Sequence, residues 1–242
     1  MTIFLLTLAT VLATLLGGYL ATKFSQQLHY VLAFSAGSLI AVAIFDLIPE
    51  SYNLSNLTKL NNDYLSWGIM LGFVLLFLLQ RLAILHSCPE GEKCSRAQHQ
   101  HLGTTKIFSL ILHSFFDGLI IGLGFKVSVA LGLSLAVAII FHKLADGITT
   151  VSISLFHHQT LSQSYFWLLA VALAPLLGAT LGYFVLLPIY ILAIILAIFA
   201  GSFIYLGAAD LLPEAHHEHS SWALIFATLG GMLMIFIITL LE

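Results

Sequence analysis

Eight runs of roughly twenty mainly apolar residues fill this chain, at about 2–21, 31–49, 65–85, 106–125, 128–153, 164–185, 188–211 and 221–241. A backbone in hydrocarbon must satisfy its own N–H and C=O groups, so runs of this length read as membrane-crossing helices. The alternating pattern of a membrane β-barrel is absent. Little of the 242-residue chain is left over, so residues 1–242 are expected to form a single all-α transmembrane domain in the lipid bilayer. Charge agrees: 8% of residues are charged and 60% hydrophobic, with a mean hydropathy of +1.05. Soluble domains carry about 25% charge. A soluble enzyme, a nucleic-acid binder and a disordered chain are thereby excluded.

Eight crossings put both ends on one side. With the N-terminus outside, the inner loops hold Lys23, Arg81, Lys93, Arg96 and Lys106, and the outer loops only Lys59 and Lys126. Positive residues favour the cytoplasmic side, so both termini are expected outside the cytoplasm. The first run has no positive residue ahead of it and reads as a span, not a secretory signal peptide. Residues 86–105 are expected to be a cytosolic loop between spans 3 and 4, with His86, Cys88, Cys94, His99 and His101. A disulfide is not expected in that compartment. The spacing fits no structural zinc template well, so the loop is either a solvated connector or a loose metal-capture segment.

The chain contains an internal repeat. Residues 36–51 read AGSLIAVAIFDLIPES and residues 200–215 read AGSFIYLGAADLLPEA, with eight of sixteen positions identical. Apolar low complexity accounts for matching Leu and Ala but not for a matched D-x-x-P-E. Spans 2 and 7 run in opposite directions in an eight-span chain. The repeat is therefore expected to be inverted, in a 3+2+3 arrangement that pairs spans 1–3 with spans 6–8. Inverted repeats are typical of secondary transporters, whose site lies between the halves near mid-membrane. Asp46 and Glu50 would line the outer mouth, and Asp210 and Glu214 the inner one. The plainer reading is that these carboxylates mark helix ends, since Pro49 and Pro213 can end helices.

Spans 4 and 5 remain for the centre. Span 4 carries HSFFDG at 113–118, and span 5 carries HKLADG at 142–147. Residues i and i+4 share a helix face, so each span offers an imidazole and a carboxylate from one stripe. Taking Ser128 as the tip of the hairpin, His113 and His142 both lie on the order of 20 Å from it, near mid-bilayer. His113, Asp117, His142 and Asp146 thus form a candidate metal or proton site. Two imidazoles with two carboxylates suit a borderline ion such as Zn²⁺ or Fe²⁺ better than Mg²⁺ or Ca²⁺. A lone intramembrane His is more often a hydrogen-bond donor between helices, but ionisable residues at this depth are costly and functional by default. Gly118, Gly122, Gly124 and Gly147 would allow close helix approach. Lys143 needs a partner at this depth. Either it forms a salt bridge to Asp117 or Asp146, or its charge fills the place of a second cation.

These residues resemble the ZIP family of divalent metal transporters. The family's fourth span carries an H-N-x-x-D/E-G-type motif and its fifth an H-E/K-x-P-E-G-type motif. The eight spans, the His-bearing loop and the LIPE and LLPE segments are similar to it as well. The resemblance implies a transported-metal site at His113, Asp117, His142 and Asp146, with no catalytic cofactor. Some members hold a second metal, using an Asn, an acidic residue and a Glu where this chain has Ser114, Lys143 and Ala174. A single-metal transporter is therefore expected. Asp146 stands for the usual Glu, and Ala145 for the usual Pro, which would soften a break in span 5. The resemblance also implies a homodimer in a bacterial inner (plasma) membrane. It further implies an elevator-like movement of spans 1, 4, 5 and 6 past a scaffold.

The expected path runs inward, from Asp46 and Glu50 through the central four to Asp210, Glu214, His216, His217 and His219. Protons compete with metal for imidazole, so uptake is expected to fall in acid. Zinc is the first candidate cargo, with iron or manganese as alternatives. The competing readings are an intramembrane zinc hydrolase and a proton-conducting channel.

Overall fold

The computed structural model describes residues 2–23, 28–85, 96–156, 159–216 and 221–240. Among them every regular element is helical. Eight helices are long and apolar enough to cross a membrane: span 1 Thr2–Ala21, span 2 His29–Thr58, span 3 Asp63–Gln80, span 4 Ile107–Val127, span 5 Val129–Leu155, span 6 Leu161–Phe184, span 7 Ile189–His216 and span 8 Trp222–Leu240. The eight hydropathy runs therefore stand. The helix of span 4 starts earlier than its apolar run, at Arg96, so residues 96–105 of the expected loop are helical. Arg, Ala and Gln are good helix formers, and helix propensity here outlasts hydropathy. His86, Cys88, Cys94, His217 and His219 lie outside the described residues, as do the side chains of His99 and His101.

Spans 4 and 5 form the expected hairpin, with Ser128 alone between the two helices. The Ser128 hydroxyl accepts from the Leu131 N–H at 3.0 Å and so caps the start of span 5. Span 5 then runs unbroken from Val129 to Phe156. Ala145 keeps the N–H that a proline would lack, so span 5 has no break to soften.

Spans 2 and 7 share a feature that residue matching does not reveal. Each widens into a π-helical turn, at Ala43–Leu47 and Tyr205–Leu211, and each turn contains the repeated aspartate, Asp46 or Asp210. Pro49 and Pro213 do not end these helices, which continue to Thr58 and His216. A proline inside a helix cannot donate to the carbonyl four residues back, and an i→i+5 turn just before it accommodates the lost bond. Span 2 stops at Lys59, whose φ of 55° turns the chain left-handed.

Four close seams hold the spans together: 1 with 5, 4 with 6, 2 with 8 and 3 with 7. At each seam a glycine of either helix meets the other's backbone. Gly17 faces the Leu144 carbonyl and Gly147 that of Thr14; Gly118 faces Pro175 and Gly178 faces Phe115. Likewise Gly37 faces Thr228, Gly231 faces Phe34, Gly72 faces Ile198 and Gly201 faces Ile69. A Cβ on any of these eight glycines would come within 1.8–2.1 Å of a carbonyl oxygen. Small residues at helix crossings are what allows such approach in a membrane. Exchanging span 1 with 6, 2 with 7, 3 with 8 and 4 with 5 turns this set of seams into itself.

Further contacts, of span 1 with 6 and 4 with 5 on one side and of span 2 with 7 on the other, join the seam pairs into two groups, 1-4-5-6 and 2-3-7-8. Contact between the groups runs chiefly along span 2 and span 5. There the Ser35 hydroxyl donates to the Phe141 carbonyl at 2.8 Å, and the Phe34 and Phe141 rings meet edge-on at 4.8 Å.

Candidate metal centre

The hairpin brings the two H-x-x-x-D-G stripes to one level, as equal distance from its tip requires. Within span 4, His113 Nε2 lies 3.4 Å from Asp117 Oδ2. Within span 5, His142 Nε2 lies 3.1 Å from Asp146 Oδ1. Across the two spans, the Nε2 atoms of His113 and His142 are 3.3 Å apart. One ligand atom from each of the four residues falls within 4.8 Å of all the others. A tetrahedral ion with bonds of about 2.0–2.1 Å holds its ligands about 3.3–3.4 Å apart. Three of the six ligand–ligand edges already have that length to within a few tenths of an ångström.

The centre is shielded. Asp117 is fully buried, and His142 and Asp146 are nearly so, while the His113 side chain keeps 15% exposure. His113 is therefore the most exposed member of the set. The buried Asp117 Oδ1 and His142 Nδ1 make no hydrogen bond within the protein.

Lys143 is fully buried and forms both salt bridges that the sequence offered as options. Its ammonium lies 2.6 Å from Asp117 Oδ2 and 2.5 Å from Asp146 Oδ2. It also donates to the Ser114 hydroxyl at 2.7 Å. Ser114 is buried too, and so is Ala174, which brings no donor or acceptor of its own. A Lys buried this deeply must be paired, and this one donates to Ser114 and Asp146 and makes an ion pair with Asp117.

The outlying carboxylates are arranged unevenly. Asp46 is buried, 6% exposed, and accepts from the Thr239 hydroxyl of span 8 at 2.7 Å and from Ser134 of span 5. It does not line an open mouth. Glu50 is half-buried and accepts from Asn53. On the other side, half-buried Asp210 accepts from Gln80 of span 3 at 3.1 Å. Glu214 is exposed, and half-buried His216 bonds through Nδ1 to the Leu212 carbonyl at 2.9 Å. Gln80, Ser134 and Thr239 escaped the sequence reading. The visible signal was a polar residue in an apolar span, but the partners of Gln80 and Thr239 lie 130 and 193 residues away.

A sequence profile of the ZIP zinc transporters matches residues 86–239, which hold both motifs and the last five spans. The chain belongs to the ZIP family. The extent of its similarity differs among individual relatives. Zinc transporter ZupT of Streptococcus mutans is 26% identical over 99% of this chain and 97% of its own. An uncharacterised protein of Methanocaldococcus jannaschii is 29% identical over 92% of this chain and 91% of its own. Human zinc transporter ZIP6 is 32% identical over 54% of this chain, a stretch that spans only 18% of ZIP6. As a ZIP protein the chain is an integral membrane transporter of divalent metal and not an enzyme, which sets the hydrolase reading aside.

Proposed function

We propose that this protein carries Zn²⁺ into the cytoplasm through one intramembrane site formed by His113, Asp117, His142 and Asp146. The observation that carries the reading is the set of near-tetrahedral edges across two spans, 3.4, 3.1 and 3.3 Å, made by side chains that all bind divalent transition metals. Iron and manganese tolerate the same donors. Uptake into proteoliposomes with competing metals ranks the three.

One ion per passage follows from Lys143, whose ammonium stands between the carboxylates where a second cation would need them. Ser114 and Ala174 add no carboxylate to replace what Lys143 occupies. Alternating access is supported by the seam pattern, which the exchange of spans 1–3 with 6–8 and of span 4 with 5 leaves unchanged, as a 3+2+3 inverted repeat would. The group 1-4-5-6 would move with the ion against 2-3-7-8. Asp46 is buried and tied to Thr239, whereas Asp210 is half-buried and Glu214 exposed, which supports reading this form as the one that faces Asp210, Glu214 and His216. Entry past Asp46 and Glu50 belongs to the opposite form. Both termini lie outside, and the protein works as a homodimer in a bacterial inner membrane.

The test is uptake by the purified protein in liposomes. His113→Ala combined with Asp117→Ala should abolish metal-dependent uptake and calorimetric Zn²⁺ binding together. Uptake that survives both changes contradicts the site. A proton conductance that persists under strong chelation would favour the channel reading instead.

A further inference from the structure

A cation is already built into the site. The Lys143 ammonium is fully buried and holds Asp117 at 2.6 Å, Asp146 at 2.5 Å and Ser114 at 2.7 Å. We infer that Lys143 is a tethered counter-cation that lets the metal-free site return across the membrane. The inference rests on the reading of His113, Asp117, His142 and Asp146 as the carrier site.

The argument is electrostatic. Two carboxylates and one ammonium leave the empty site with a single net negative charge. A divalent ion turns that into a single net positive charge. Without the ammonium, the empty site would carry a double negative charge and the loaded site none. The cost of holding charge away from water grows with its square. Lys143 therefore divides one large cost into two equal smaller ones, one for each leg of the cycle. A site without it would carry metal across readily and then stall on the way back.

The contacts allow the exchange of partners that this requires. Asp117 Oδ2 and Asp146 Oδ2, which Lys143 holds, belong to the carboxylates the ion must take. Asp146 reaches His142 with its other oxygen, Oδ1, and Asp117 keeps a buried Oδ1 without a hydrogen bond. When metal draws on these carboxylates, the ammonium still has the Ser114 hydroxyl. Lys143 thus competes with the cargo from inside the protein, and the same competition hastens release.

The experiment compares two fluxes of radioactive Zn²⁺ in proteoliposomes of the full chain. Net uptake into empty vesicles needs the metal-free return. Exchange into vesicles preloaded with unlabelled Zn²⁺ does not. For Lys143→Met the ratio of net uptake to exchange should fall about tenfold or more, while Zn²⁺ binds more tightly. Lys143→Gln, which keeps hydrogen bonding without charge, should behave alike and stands in if the Met variant does not fold. Lys143→Arg should restore the ratio. A ratio that stays at the wild-type value in both neutral variants overturns the inference, as does a ratio that falls equally in the Arg variant. Failure of the site reading looks different: the wild-type chain would then bind no Zn²⁺ by calorimetry.

Discussion

Gly118→Ala tests whether a backbone contact between spans 4 and 6 sets the geometry of the centre. A Cβ at position 118 would lie 2.0 Å from the Pro175 carbonyl oxygen and 2.6 Å from its carbon, while ordinary contact begins near 3.4 Å. Both obstacles are backbone, so no side chain can rotate away. Spans 4 and 6 must part by about 1.4 Å, and overpacking of this kind typically costs about 1–3 kcal/mol. Asp117 is the preceding residue and moves with its helix. Metal sites tolerate deviations of about 0.2 Å in ligand distance. A shift several times larger takes span 4's two ligands out of register with span 5's. Zn²⁺ affinity by calorimetry should fall at least about tenfold, or about 1.4 kcal/mol, and thermal unfolding in detergent should come earlier. Gly230→Ala is the matched control, because the nearest atom to its Cβ would be 3.8 Å away. If Gly118→Ala binds Zn²⁺ as the unaltered chain does, glycine packing does not set the site.

Ala145→Pro should cost less than the ~3 kcal/mol of a mid-helix proline, because the Phe141 carbonyl it deprives already accepts from Ser35 at 2.8 Å. Adding Ser35→Ala should restore the full cost, so a thermal-stability cycle of the two changes should be non-additive. Thr239→Val removes the hydroxyl that donates to buried Asp46 at 2.7 Å and should lower stability by about 1.5–3 kcal/mol in a detergent melt. Gln80→Leu should leave Zn²⁺ binding intact by calorimetry, since Gln80 touches Asp210 and none of the central four.

Much of this molecule is legible in its sequence because membranes impose length and periodicity. The eight runs became eight helices, and counting back from Ser128 placed His113 and His142 at one depth. The four ligand candidates follow from i, i+4 spacing alone. What escaped depends on contacts between distant residues or on subtle backbone geometry. The D-x-x-P-E repeat is readable, yet nothing in it announces an i→i+5 turn around Asp46 and Asp210. The position of Asp46 near a span end is visible in the sequence, while the Thr239 hydroxyl that donates to it is not. Lys143 read as a choice between two carboxylates, since helix spacing cannot tell that one flexible arm reaches both.

The eight glycine–carbonyl contacts also decide where the molecule can yield. Where backbone lies on backbone there is no side chain to re-pack, so such a seam is either shut or lost. Span 2 and span 5 meet instead through side chains, the Phe34 and Phe141 rings, the Ser35 and Ser134 hydroxyls and the Asp46 carboxylate, which can slide by rotamer changes at small expense. Compliance is thus concentrated in a single plane that passes beside His142. The protein resembles two stiff blocks with a lubricated face between them, and the residue before a ligand, Phe141, is part of that bearing.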